Sequence, residues 1–223
     1  MPEIKERPIL FSAPMVRAIL EGRKTVTRRP LNERVLKNIG YGVQLGECHE
    51  LPSEGPLHPN SIGYYNDFCP FGQPGDRLYV RETFMDLRGT GVEHRPDPDG
   101  PLQRYAYGAD TRPGSHGDEA RKDIGLKWTP SIHMPRAASR ILLEITAVRV
   151  ERLQDISDEQ CTAEGVRAMR DDSGMLVGRE GPGQYVTPWP TQKEAFRDIW
   201  ETTGGDWNAN PWVWAFEFKR VTP

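Results

Sequence analysis

Cysteine is scarce in this chain. There are three, Cys48, Cys69 and Cys161, odd in number and far apart, with no Cys-x-x-Cys spacing. That pattern excludes a disulfide framework and points to a reducing compartment such as the cytoplasm. No apolar run approaches the roughly 20 residues that a membrane span needs, so no membrane partner is expected. The opening residues, MPEIKERPILF, lack the basic-then-apolar layout of a secretory signal. No internal repeat is evident. A basic surplus is missing too: 29 Lys and Arg face 32 Asp and Glu, a net charge of −3. Proteins that grip long nucleic acids by their phosphates normally carry a strong positive excess. Any such grip here must come from a local patch, and a small or short ligand suits the balance better. Hydrophobic residues make up only 36%, with a mean hydropathy of −0.66, so the core is modest.

Turn formers, by contrast, are plentiful: 22 Gly and 20 Pro. They argue against helix bundles and coiled coils and for many turns and long loops. At 223 residues the chain fits one domain with insertions. Residues 8–12 suit a short buried strand. The stretch APMVRAILEG reads as a helix, with Pro14 in its first turn, Met15, Ala18 and Ile19 at helical spacing, and Gly22 as its stop. Residues 25–29 suit a strand ended by Pro30. Residues 31–72 show little periodicity and read as an insertion over the core. The turn Pro74-Gly75-Asp76 launches a strand over 77–84, with Leu78, Val80, Glu82 and Phe84 on one face. Residues 86–130 form a second, polar insertion with a short strand at 105–107, and a third loop spans 170–190. A long strand, SRILLEITAVRVERL, starts at Ser139. Ser157 caps a short helix running to Glu164, with Asp158 and Glu159 where the helix dipole favours them. Residues 191–201 form an amphipathic helix with Ala195, Phe196, Ile199 and Trp200 as its apolar face. Trp212, Trp214, Phe216 and Phe218 alternate in a closing strand. No βαβ run appears, so the expected class is α+β: a small, closed, mostly antiparallel barrel with flanking helices and long loop insertions.

The segment AILEGRKTVTRRP resembles the signature of the ASCH family, which belongs to the PUA-like superfamily. The signature runs Gly-x-Lys-x-x-Glu-x-Arg and is matched by Gly22, Lys24 and Arg29, with Thr27 where Glu is commoner. That substitution resembles a bacterial branch of small ASCH amidohydrolases that remove the acyl group from N4-acetylcytidine. In that branch the Lys and Thr of the motif and a Glu on the helix after the long strand are assigned to catalysis. The resemblance therefore implies catalytic roles for Lys24, Thr27 and Glu164, the last in ISDEQCTAEGV. PGDRLYVRETF is similar to the family's Gly-Asp turn and the strand after it. The ending, NPWVWAFEFKRV, resembles a larger phage and prophage ASCH group, although Ala137 stands where that group often carries Trp. Together these matches cover about half the chain (8–30, 73–85, 131–166 and 191–220), and the three insertions lie outside them.

The residue types suit such chemistry. Gly22 permits a left-handed turn that swings the chain from helix to strand. Lys24 then leans over the mouth of the fold, beside Arg23. Thr27 and Arg29, two apart on a strand, share a face. In amide hydrolysis Lys24 takes the proton of Thr27, whose oxygen attacks the acyl carbon; in the alternative, Lys24 activates water and Thr27 orients it. Lys is a poor base unless burial lowers its pKa, and a close carboxylate would raise it again. Glu164 is therefore expected nearer the substrate, as an acid or as a partner to the cytosine edge. Arg29 is suited to a phosphate or an oxyanion. Gly22, Arg23, Arg29, Tyr79, Arg81 and His133 form the expected substrate-binding set. No motif calls for a cofactor.

Plainer readings exist for each of these. A basic strand end is usually solvated, Glu164 alone reads as an exposed residue in a last helical turn, and a lone His is more often structural. Cys48, His49, His58 and Cys69 fit no standard zinc spacing, and Cys161 suits packing. Trp128, Trp189 and Trp207 are candidates for base stacking, or simply cover core edges. Three functions remain in view. One is an amidohydrolase acting on N4-acetylcytidine or a related nucleoside. The second is a module that reads RNA or a modified base without changing it. The third is a single-strand ribonuclease.

Overall fold

The computed structural model describes residues 4–97, 99–111, 114–169, 173–180 and 186–222. Its main sheet has five strands: β1 (Glu6–Leu10), β2 (Val26–Pro30), β3 (Arg77–Arg81), β6 (Leu142–Arg152) and β10 (Trp212–Val221). They lie in the order β1-β3-β6-β10-β2. β1 and β3 pair in parallel and every other pair is antiparallel. The long β6–β10 ladder is the backbone of the molecule, and a register shift between Glu217 and Phe218 bends it. On β10 the aromatic face of Trp214, Phe216 and Phe218 is buried in the largest apolar cluster. Val213 and Ala215, on the opposite face, are equally buried, so this strand is covered on both sides.

The expected closed barrel is not what forms. The sheet is open, with β1 and β2 as its edges. Each edge carries a proline, Pro8 and Pro30, which has no N–H to offer a further ladder. The edges still approach each other, because Arg29 Nη2 on β2 donates to the Leu10 carbonyl on β1 at 2.9 Å. The seam is thus spanned by a side chain instead of a backbone ladder.

α1 (Ala13–Leu20) joins the two edge strands, with Pro14 in its first turn and Val16, Ala18 and Ile19 buried. α5 (Asp158–Ala163) starts at Ser157 with a full capping box completed by Gln160. α6 (Gln192–Thr202), capped by Thr191, buries Ala195, Phe196, Ile199 and Trp200. With Leu153, Ile156, Cys161, Val166 and Val213 these form a second apolar cluster. Burying each large apolar side chain stabilises the fold by ~1.5–3 kcal/mol.

All three expected insertions are more structured than their composition suggests. Residues 31–72 hold α2 (Glu33–Gln44), capped by Asn32, and α3 (Ile62–Asp67). Leu31, Val35, Ile39, Tyr65 and Cys69 belong to the main cluster, so this segment builds the core and does not merely lie over it. Residues 86–130 pair β5 (Tyr105–Tyr107), as expected, with β4 (Phe84–Asp86), and add α4 (His116–Asp123) under a Ser115 cap. In the third, β8 (Leu176–Glu180) and β9 (Val186–Trp189) make a small sheet with β7 (Arg167–Ala168), which precedes it. It lies close on α6, since a Cβ at Gly178 would fall 1.9 Å from the Ala195 carbonyl oxygen. The remainder of that expected loop, 170–172 and 181–185, lies outside the described residues. No described helix is long and apolar enough to cross a membrane.

Candidate functional site

The first hairpin meets α5 for reasons visible in the backbone. Gly22 has φ +73°, the left-handed conformation that ends α1. The N–H groups of Arg23 and Lys24 then both return to the Ala18 carbonyl, and the Thr25 N–H donates to Ala163 at the end of α5. Gly165, at φ +114°, lets α5 close against α1, where even its absent Cβ would stand 3.6 Å from that of Ala18. Residue 24 is in this way set beside residue 164.

Both side chains are buried, Lys24 at 2% and Glu164 at 3% exposure. Lys24 Nζ donates to Glu164 Oε2 at 2.5 Å and to the carbonyls of Glu164 and Val26 at 2.9 Å each. The expectation that Glu164 stands off from Lys24 toward the substrate is therefore corrected: the carboxylate is in direct contact with the amine. It is also not the exposed last-turn residue of the plainer reading. Burial is the strongest influence on Lys24 and depresses its pKa, while Glu164 pulls it back up and Arg29 and Arg28 push it further down. The other Glu164 oxygen accepts from Arg28 Nη1 at 3.1 Å. Arg28 Nη2 in turn donates to Gln160 at 2.8 Å and to Glu151.

Arg28 is the site residue that sequence reasoning misses. Strand alternation places it across from Thr27 and Arg29, and only its length and full burial bring it to Glu164. A second arginine in the motif's tail, unusual for a solvated strand end, is the available signal. Its Nε has no partner, and a buried donor left so costs ~1–3 kcal/mol.

Thr27 is 1% exposed, and its Oγ1 accepts from Arg29 Nη1 at 3.0 Å. Arg29 also donates to the carbonyls of Arg28 and Leu10 and lies 5.3 Å over the Phe11 ring. Burial lowers its pKa, with Glu164 acting the other way. Thr27 is thus roofed by Arg29.

Two cavities adjoin here and share Ser12, Met15 and Thr203. The smaller, about 210 Å³, has Glu164, Gly165 and Arg23 on one wall and Val177, Arg179 and Ile199 on the other. The larger, about 460 Å³, is bounded by Arg28, Arg29, Trp200 and the Gly204–Gly205 turn, within the ~300–1,000 Å³ usual for ligand clefts. Trp200 Nε1 has no partner, and Gly205 is needed above it, because a Cβ there would sit 2.3 Å from that nitrogen. The helical pattern marks Trp200 as core only, and the cavity adds a second use.

The remaining expected residues separate. Arg23 lines the smaller cavity and bonds Glu21 and the Gly165 carbonyl. Gly22 shapes the turn and is exposed. Tyr79, Arg81 and His133 line neither cavity. Tyr79 carries Arg136 over its ring at 5.4 Å, and Arg81 holds the loop at Ile132, whose neighbour Ser131 reaches the larger cavity. His133 is exposed. Of the loop tryptophans, Trp128 lies under Arg121 while Trp189 and Trp207 flank the second cluster. His49 and His58 stack at 3.6 Å, and among the described residues no three His, Cys, Asp or Glu side chains converge as for a metal. Cys161 is buried, and its thiol is pushed up to about 12 by that burial.

Chemically, the arrangement offers a buried amine–carboxylate pair in direct contact, a hydroxyl held by a guanidinium, and a cleft whose polar wall is made mainly of donors. Compared with family models, curated proteins and solved structures, the chain shows no significant match to any of them.

Proposed function

We propose that this is an ASCH-type protein that binds a nucleoside in the cleft beside Glu164 and removes the acyl group of N4-acetylcytidine or a related modified nucleoside. The observation that carries this reading is the buried 2.5 Å contact between Lys24 Nζ and Glu164 Oε2, which joins residues 140 positions apart and in which Glu164 lines the smaller cavity. The resemblance of the motif to that branch of amidohydrolases supplies the substrate class. The fold belongs to the same reading: a PUA-like barrel left open at the β1–β2 seam, where Arg29 stands.

In this reading Glu164 takes a proton from the Lys24 ammonium, and the neutral amine accepts the Thr27 proton. The freed oxygen attacks the acyl carbon, and the cytidine amine leaves with the proton from Lys24. Water then cleaves the acyl-threonine to acetate. Because Arg29 roofs Thr27, its guanidinium must swing aside before attack. A variant in which the Lys24–Glu164 pair activates water and Thr27 orients it uses the same groups. Proton transfer by a positioned pair contributes ~10²–10⁴-fold in rate. The test is acetate release from N4-acetylcytidine. Turnover by the wild type that Lys24→Ala abolishes supports the reading; an inactive wild type, or an undiminished Lys24→Ala, removes it.

One observation favours a second reading, a module that binds RNA or a modified base unchanged. The three acceptors around Lys24 Nζ match the three donors of an ammonium, which makes a closed, unreactive pair. That reading predicts salt-dependent affinity for an oligonucleotide and no product.

A further inference from the structure

Arg29 makes no ion pair among the described residues, although the Glu164 charge favours it. Its hydrogen bonds go to three neutral oxygens, those of Thr27, Arg28 and Leu10. Among the described residues no carboxylate pairs with it, whereas Arg28 has Glu151 and Glu164, and Arg179 has Asp198. Guanidinium stays protonated, and a partly buried charge left unpaired is costly unless something compensates it. The three bonds leave part of its planar donor set open toward the larger cavity that it lines.

Two other donors on that wall lack partners, Arg28 Nε and Trp200 Nε1, both on residues more than nine-tenths buried. Ser12, which borders both cavities, is the N-cap of α1, yet its side chain makes no capping bond. Its exposed hydroxyl is thus not committed to the helix. Among the described residues no carboxylate lines the larger cavity. A wall with two arginines, an unpartnered indole N–H and several hydroxyls, and with no carboxylate among its described residues, suits an anion.

We propose that the larger cavity is a phosphate subsite, so that the ligand is a phosphorylated nucleotide unit and not a free nucleoside. Arg29 takes the phosphate, with Arg28, Trp200 and Ser12 around it. The base reaches the smaller cavity beside Glu164, an assignment that rests on the proposed nucleoside reading. Phosphate binding also draws Arg29 off Thr27, so the anion that fills the subsite uncovers the hydroxyl. A mononucleotide and a nucleotide within an RNA strand present the same phosphate ester.

The experiment compares cytidine, cytidine 5′-monophosphate, cytidine 3′-monophosphate and a short cytidine-containing RNA by calorimetry, at low and high salt. A parallel arm follows thermal stabilisation by inorganic phosphate. At low salt one of the monophosphates should bind wild type at least about tenfold more tightly than cytidine, the energy of one charge-assisted contact. High salt should shrink that gain, Arg29→Gln should abolish it, and Arg29→Lys should keep most of it. Equal affinity for cytidine and both monophosphates overturns the subsite even if acetate release is intact. So does a phosphate gain that survives in Arg29→Gln. Should that variant not fold, the wild-type ratio alone decides. Inorganic phosphate that stabilises wild type but not Arg29→Gln upholds the subsite even where no acylated nucleoside is turned over. Preference of the RNA over both monophosphates identifies a strand as the source of the phosphate, and equal affinity identifies the single nucleotide.

Discussion

Glu82 and Glu164 are the two most deeply buried carboxylates among the described residues, and they are used differently. Glu82, 1% exposed, meets one cation: Arg140 binds it through Nε and Nη2 and extends to Asp110, stacking 3.9 Å over Tyr107 on the way. The result clamps the 86–130 segment to β3, and Glu82 lines neither cavity of the cleft. Glu164 meets two cations, Lys24 and Arg28, borders a cavity, and leaves a donor of Arg28 unpartnered. A fold that needed only a clamp had one available with a single arginine. The surplus of cations and the open wall at Glu164 are what a site for an anionic or acyl-bearing ligand requires.

Substitutions can break that contrast. The largest effect should come from Glu164→Ala, which leaves Lys24 buried without its carboxylate and Arg28 with only Glu151. It should cost about 3–5 kcal/mol in urea unfolding and abolish acetate release. Glu82→Gln should cost about 1–3 kcal/mol, since Arg140 keeps Asp110, and should leave acetate release unchanged. If instead Glu82→Gln kills activity, the two clusters are not separable. Lys24→Met should cost about 1–3 kcal/mol, because Glu164 retains Arg28 while the Glu164 and Val26 carbonyls lose a buried donor. Turnover should fall by at least ~100-fold.

The smallest effects are in pH. Burial lowers the Lys24 pKa below its ordinary 10.5, so the folded state holds fewer protons there than the unfolded chain. Wild-type stability relative to Lys24→Met should therefore rise with pH through the alkaline window below 10.5. Burial raises Glu82 above its ordinary 4.5, and the sign reverses: stability relative to Glu82→Gln should fall as pH climbs from 4.5 through the raised value. Unfolding titrations of the three proteins read both slopes.

Much of this is legible from residue order. The Thr191 and Ser157 caps, the apolar face of α6 and the alternation on β10 carry local signals that tertiary packing does not override. α2 escapes such a reading, because its buried stripe is only Val35, Ile39 and Gly42 and two glycines interrupt it. Gly42 is there for a neighbour, since a Cβ would lie 2.3 Å from the Tyr64 hydroxyl. Barrel closure is easily overestimated, because a proline at a strand end is also a barrier to further pairing when that strand is an edge. In the site, Lys24 and Glu164 can be paired by motif, but their contact distance and the part of Arg28 depend on packing between segments 123–140 positions apart, which no local pattern encodes.

The most direct test is a crystal structure of the protein with N4-acetylcytidine 5′-monophosphate bound to the Lys24→Met variant. The account predicts the acetyl group against Glu164 and the substituted side chain at position 24, with the phosphate on Arg29. A ligand bound elsewhere, with the cleft beside Glu164 empty, would contradict it.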